Sequence, residues 1–361
     1  AKQASSKLMV IQMRTRYAKG FVKCVVIIMA TCLLGACTSP AYKTFSKEFQ
    51  AYKALFIEQG RVVDTGNQGV SHSEGQGYGM LFSVVADDEK TFNQLWAWTK
   101  QTLQREDKLF HWRYVPCASG DKRCIDDPNN ASDGDLLIAW ALLRAADEWG
   151  NENFRQEAKA IILAMENALL YKLDKQTLLL PGEYGFVDKE TSSVQVNLSY
   201  WVFPAIESVA KVSSRPGAWR KLRDSGIQLV LEAKFTQHKL PPDWLRIAAN
   251  GLSVNETVNQ EYGYNACRIP LHLAWAGIAQ PQTYSAFNQW WQQDTTPATL
   301  NLVNGEPAEY QMTAGMQAVA SAVTHLAYET PLEIDAISRK TDYFSASLIL
   351  LSRMAVLDAG Q

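Results

Sequence analysis

The chain has 361 residues, 47% hydrophobic and 20% charged, with a formal net charge of −2. That balance excludes a disordered or low-complexity chain and supplies enough apolar material for one large core or two modest ones. Residues 1–36 hold six of the 35 Lys and Arg and no acid, so the remainder carries 29 basic against 37 acidic side chains, a net of −8, which argues against a nucleic-acid partner and for a neutral substrate.

The first element in chain order is a leader. Arg14, Arg16, Lys19 and Lys23 precede an apolar run from Cys24 to Ala36, and small residues follow, which reads as an export signal over residues 1–36. The run is too short to stay as a membrane-spanning helix. Cys37 directly follows Leu34-Gly35-Ala36, an arrangement that resembles a bacterial lipobox and implies cleavage before a lipidated Cys37. With Thr38 rather than Asp next, the expected location is the periplasm, anchored to the outer membrane only through that lipid.

Residues 37–361 then read as a single domain. Helical periodicity predicts helices over Phe45–Ile57, Gly77–Val85, Glu89–Gln104, Gly134–Trp149, Glu152–Tyr171, Leu198–Val212, Gly217–Lys234, Tyr264–Ala276, Pro281–Gln292, Ala314–Val323 and Asp342–Leu357. Strand alternation is scarce; Ser193–Val196 and Ala308–Met312 are short pieces that could pair in loops. No linker or low-complexity run divides the chain. The expectation is all-α, with helix pairs in a ring and connecting loops forming a cleft at one end. Cys117 and Cys124 bracket a short polar loop and would form a disulfide in an oxidising compartment, while Cys267 reads as a small buried hydrophobe. No Cys/His spacing suits a metal, and no cofactor is expected.

Two carboxylate settings carry the chemistry. Glu74 lies in Ser73-Glu74-Gly75-Gln76-Gly77-Tyr78-Gly79, where glycines permit close backbone approach and Tyr78 could shield the acid from water. Shielding keeps a proton on a carboxyl and available to a leaving group. Asp133 and Asp135 flank Gly134 at the mouth of another apolar helix; one of them could be a plain N-cap, but capping needs only one side chain. His72 and His111 could donate to a ligand or make structural hydrogen bonds, and Asp243-Trp244 after two prolines reads as a rigid cleft rim or a packing element.

The stretch Ala131-Ser132-Asp133-Gly134-Asp135 running on to Trp149 resembles the signature of glycoside hydrolase family 8, and Ser71–Met80 resembles that family's general-acid segment. Phe110-His111-Trp112, Asn197-Leu198-Ser199-Tyr200 and Tyr264-Asn265-Ala266-Cys267-Arg268-Ile269-Pro270 also match, so the resemblance covers roughly residues 45–355. It implies an (α/α)6 barrel and an inverting endo-β-1,4-glucanase of the kind that accompanies bacterial cellulose synthesis, with the synthesis and export machinery as a possible partner. By resemblance, Glu74 donates the proton, Asp133 contacts the distorted sugar ring, Tyr200 lies near the attacking water and Trp112 floors a glucosyl unit. Tyr78, Asp135 and Arg268 join the substrate-binding set; Arg268 would hold its loop by pairing with a carboxylate, or else form a solvated surface ion pair worth little.

The chain departs from the family at Asn265, where many members carry the Asp that acts as base. An amide cannot take a proton from water, and inversion needs a second carboxylate roughly 6.5–9.5 Å from the acid. Glu261, four residues upstream, is favoured as the replacement, with Glu256 and Asp133 as the other candidates. The alternatives in function are a different β-glycan substrate (mixed-linkage glucan, xylan or chitosan) and a non-catalytic glucan-binding lipoprotein.

Overall fold

A computed structural model describes residues 39–117, 124–255, 257–278 and 280–360. The leader, Cys37 and Glu256 lie outside the described residues, and so does the interior of the Cys117–Cys124 loop. A compact unit spans Thr44–Gln361.

Eleven α-helices run through the described residues: α1 (Pro40–Phe56), α2 (Ser73–Val85), α3 (Glu89–Thr102), α4 (Ser132–Trp149), α5 (Glu152–Ala168), α6 (Phe203–Val212), α7 (Pro216–Glu232), α8 (Ile269–Trp275), α9 (Pro281–Trp291), α10 (Ala314–Tyr328) and α11 (Tyr343–Asp358). They fall into two kinds. Helices α1, α3, α5, α7 and α9 each bury one stripe, as Phe45, Phe49, Tyr52 and Phe56 do in α1 and Phe154, Ala158, Ile161 and Met165 do in α5. A single apolar stripe marks a helix with one face to solvent. Helices α2, α4, α8 and α11 are buried almost all round. These four, with α6 and α10, pack in a closed cycle of six, α2 on α4, α4 on α6, α6 on α8, α8 on α10, α10 on α11 and α11 on α2. The amphipathic helices lie outside this inner ring, which is the (α/α)6 plan expected from the sequence.

Two predicted helices break near the chemistry. Leu198–Val212 divides into a 3-10 turn, Leu198–Tyr200, and α6; Tyr264–Ala276 divides into a 3-10 turn, Ala266–Arg268, and α8. Pro204 and Pro270 sit in the first turns of α6 and α8, where a missing N–H costs nothing. Helix α2 begins earlier than the glycines suggested, so Glu74 belongs to its first turn.

Short antiparallel ribbons decorate one end of the ring. Strands β1 (Ile57–Glu58) and β2 (Arg61–Val62) pair with each other, as do β3 (Ser71–His72) with β4 (Arg113–Tyr114) and β5 (Leu170–Leu173) with β6 (Gln176–Leu179). Strands β7 (Val187–Asp188), β8 (Ser193–Val196), β9 (Leu245–Ala248) and β10 (Gly251–Val254) form a four-stranded sheet in the order β10-β9-β8-β7. Strand β8 coincides with the predicted Ser193–Val196, and Ala308–Met312, though no named strand, pairs in a loop with residues 296–299 through the Gln311–Pro297 bridge and three backbone hydrogen bonds. The register Val196↔Leu245 makes the following turn, Leu198–Tyr200, and the preceding residues, Asp243-Trp244, emerge at the same sheet end. Strand β11 (Glu261–Tyr262) pairs with β12 (Leu300–Asn301).

Candidate active site

Glu74 and Asp133 meet because α2 and α4 cross at glycines. A Cβ on Gly134 would lie 2.1 Å from Ser73 Oγ and 2.9 Å from the Glu74 backbone nitrogen, and one on Gly77 would lie 2.6 Å from Leu137 Cβ. No side chain fits at either place, so the two first turns touch backbone to backbone and bring both acids to one end of the ring. The neighbouring β3–β4 pair adds Trp112, whose carbonyl accepts the Ser73 N–H at 2.9 Å.

One guanidinium organises the centre. Arg268 is 6% exposed, which removes the reading of a solvated surface pair. Its Nη1 donates to Glu74 Oε1 and, at 3.0 Å, to the Tyr78 hydroxyl; its Nη2 donates to Ser199 Oγ at 3.2 Å and to Asn265 Oδ1 at 2.9 Å. Tyr78 itself donates to Glu74 Oε1 at 2.7 Å. Burial, with the nearby Asp133 charge, raises the Tyr78 hydroxyl well above the usual phenol range and keeps it a donor. Tyr78 therefore stands behind Glu74 and orients it. Glu74 remains 27% exposed at its side chain, so it reaches solvent.

Asp133 is buried, and its Oδ1 accepts the Gly134 N–H at 2.8 Å. Burial, helped by the Asp135 charge and opposed by that N–H, pushes its pKa up to about 7. An unfolded Asp titrates near about 4, so between about pH 4 and 7 the folded chain holds a proton that the unfolded chain has released. Stability therefore falls as pH rises through that window. Asp135 and Asp243, also raised by burial, act in the same direction. Asp133→Asn is expected to raise the melting temperature more at pH 8 than at pH 5; an equal change at the two pH values would contradict this account.

Asp135 is fully buried, with Oδ1 accepting from Phe110 N at 2.8 Å and Oδ2 from Asn130 Nδ2 at 2.6 Å. It ties α4 to the segment that leads through Phe110 to Trp112. Trp112 is half-buried: its Nε1 donates to Asp127 at 2.9 Å, the Arg113 guanidinium lies 4.4 Å from its ring centroid, and His72 stacks at 5.9 Å. Burial lowers the His72 pKa to about 4, so the imidazole is neutral. His111 Nδ1 faces the Pro128 carbonyl at 3.0 Å. Trp244 stacks on Phe186 at 6.0 Å and meets Tyr200 edge-on at 6.1 Å. Burial, with Asp133 and Asp243 in turn, raises the Tyr200 hydroxyl well above its usual range, so it too remains protonated.

Asn265 is half-buried and gives its side-chain oxygen to Arg268. Glu261, on β11, is also half-buried, while its neighbour Tyr262 is buried on the opposite face of the ribbon. Glu261 Oε2 lies 3.6 Å from where a Cβ on Gly263 would stand. Ser199 and Asp243 were not foreseen in these roles. Ser199 lies within a matched motif but offers no charge, and the residues that Asp243 binds are some twenty positions away, where no periodicity signals them.

Cys117 and Cys124 are joined in a disulfide with Cα atoms 5.7 Å apart, and Cys267 is free and buried.

A family model described as glycosyl hydrolases family 8 matches residues 21–357. The chain is 37% identical to a probable endoglucanase of Novacetimonas hansenii, covering 89% of this chain and 93% of that one. It is 35% identical to an endoglucanase of Cellulomonas uda over 75% of each. Among solved structures it is similar to an endo-β-1,4-glucanase of Acetobacter xylinum, with a TM-score of 0.82 and 35% identity, covering 89% of this chain and all of that one. A family 8 endoglucanase of Klebsiella pneumoniae gives a TM-score of 0.80 at 35% identity, covering 87% and 99%.

Proposed function

This chain belongs to glycosyl hydrolase family 8, and we propose that it is an endo-β-1,4-glucanase that cleaves internal bonds of a cellulose-type glucan with inversion. The observation that carries this reading is Glu74. It sits in the first turn of a buried helix, oriented by Tyr78 and Arg268 and beside the buried Asp133, while its side chain reaches solvent. In this role Glu74 gives its proton to the glycosidic oxygen, and a second carboxylate takes one from water on the far face of the sugar. Glu261 is assigned that second part. Trp112 and the Phe186–Trp244 stack offer ring faces to pyranose units, and Tyr200 offers a hydroxyl donor near Asp133. A panel of cellulose, mixed-linkage glucan, xylan and chitosan, scored by new reducing ends and by the anomer formed first, tests the assignment. Turnover of chitosan or xylan alone would replace the substrate, and binding of cello-oligosaccharide without any turnover would replace the enzyme with a glucan-binding protein. Asn265 is the residue that favours keeping that last reading in the test.

We further propose export and lipid anchoring at Cys37, supported by the basic and apolar leader, and service to a cellulose synthesis and export assembly. Metabolic labelling with a fatty acid, lost in Cys37→Ser, tests the anchor. An unchanged cellulose yield on deletion would count against the assembly role.

A further inference from the structure

We propose that Asp243 is a positioning residue that fixes where Arg268, and through it Glu74, stands in the cleft. This inference rests on the glycosidase reading of the site. Asp243 is 2% exposed, yet it carries a carboxylate. Its Oδ1 accepts three backbone N–H groups, from Gly263 at 2.9 Å, Asn265 at 3.2 Å and Ala266 at 2.7 Å. Its Oδ2 accepts Asn259 Nδ2 at 3.2 Å, and its own N–H donates to the Glu261 carbonyl at 2.7 Å. One residue thus binds the chain at 259, 261, 263, 265 and 266.

The N–H groups gathered by Oδ1 open the 3-10 turn Ala266–Arg268, which leads directly into α8. Free N–H groups at a helix start favour a carboxylate, and here the carboxylate comes from another part of the chain. The turn then points Arg268 back at Glu74, Tyr78 and Asn265. A Cβ on Gly263 would stand 3.1 Å from Asp243 Oδ2, so the loop lies directly against the acid. Without the carboxylate, these N–H groups lose their partner and the turn relaxes. Arg268 then moves relative to the reacting groups, although no atom that touches substrate has changed.

The test compares Asp243→Ala, Asp243→Asn and Asp243→Asn with Asn259→Asp in the whole protein. Misplacement of a catalytic group by about 1 Å costs about 100-fold, so Asp243→Ala is expected to lower kcat on cello-oligosaccharide by about that factor, with KM within about threefold of the parent. Asp243→Asn sets its amide N–H against the Asn259 amide N–H, and Asn259→Asp restores an acceptor there. The double variant is expected to recover at least about a tenth of parental kcat from a lower single-variant value. Hydrogen exchange at the 263, 265 and 266 amides is expected to quicken in Asp243→Ala. An unchanged kcat with only a lower melting temperature, a change confined to KM, or amides that stay protected would each overturn the proposal. If Asp243→Ala does not fold, the single and double amide variants decide. A parent chain with no turnover on any glycan overturns the glycosidase reading instead, and the amide exchange still reports on Asp243.

Discussion

Glu74→Gln is expected to lower kcat on a soluble β-1,4-glucan by about a thousandfold or more, while folding and saccharide binding persist. Glutamine has nearly the same shape and keeps a side-chain oxygen for Tyr78 and Arg268. It has no acidic proton to hand to the leaving oxygen. Both described contacts of Glu74 go to Oε1, which leaves Oε2 to carry that proton toward the sugar. The turn cannot shift to bring in a substitute, because Ser73 and the Glu74 backbone rest against Gly134. Reducing-end release gives the loss, and thermal melting with calorimetric titration of cello-oligosaccharide shows that the site survives. Near-parental turnover in a folded Glu74→Gln protein would remove Glu74 from the role of acid.

Glu261→Gln is expected to be comparably damaging, by about 100-fold or more in kcat. At the position where the resemblance expects an Asp, Asn265 presents an amide, and its oxygen is occupied by Arg268. The base has to be a carboxylate. Asp135 is fully buried with both oxygens engaged, and Asp243 spends its carboxylate on the loop amides. Glu261 is half-buried on the same segment, four residues before Asn265, and stands in contact range of Gly263. Asp133 is the competing carboxylate, since its charge acts on the hydroxyls of Tyr200 and Tyr78. The decisive comparison measures Glu261→Gln, Glu256→Gln and Asp133→Asn side by side. Full loss in Asp133→Asn or Glu256→Gln with an active Glu261→Gln would move the base to the variant that failed.

The helices were legible because their signal is local. The apolar stripe of α1 and the unbroken apolar face of α4 are written in spacing, and all eleven predicted helices have a counterpart among the described residues. Boundaries slipped where backbone served the site. The expected helix starts at Gly77, yet α2 starts at Ser73, because glycine there yields room for α4 and for Tyr343, whose hydroxyl would stand against a Cβ on Gly75. Of the site, Glu74 and Asp133 were found from their glycine neighbours and from family resemblance. Asp243 was seen only as a rim residue beside Trp244. Its partners lie 16–23 residues further on and are mostly backbone N–H groups, which no side-chain pattern announces.

Arg268 and Glu74 are 194 residues apart in sequence. Contacts of that span form only after the intervening chain has been organised, so they come late when a chain of this size folds. The inner ring must close, α8 against α10, α10 against α11 and α11 against α2, before the acid acquires its partner. Catalysis is therefore a reporter of ring closure. During refolding, helical signal should return first and hydrolysis last, and the interval between them measures how long the barrel stays open.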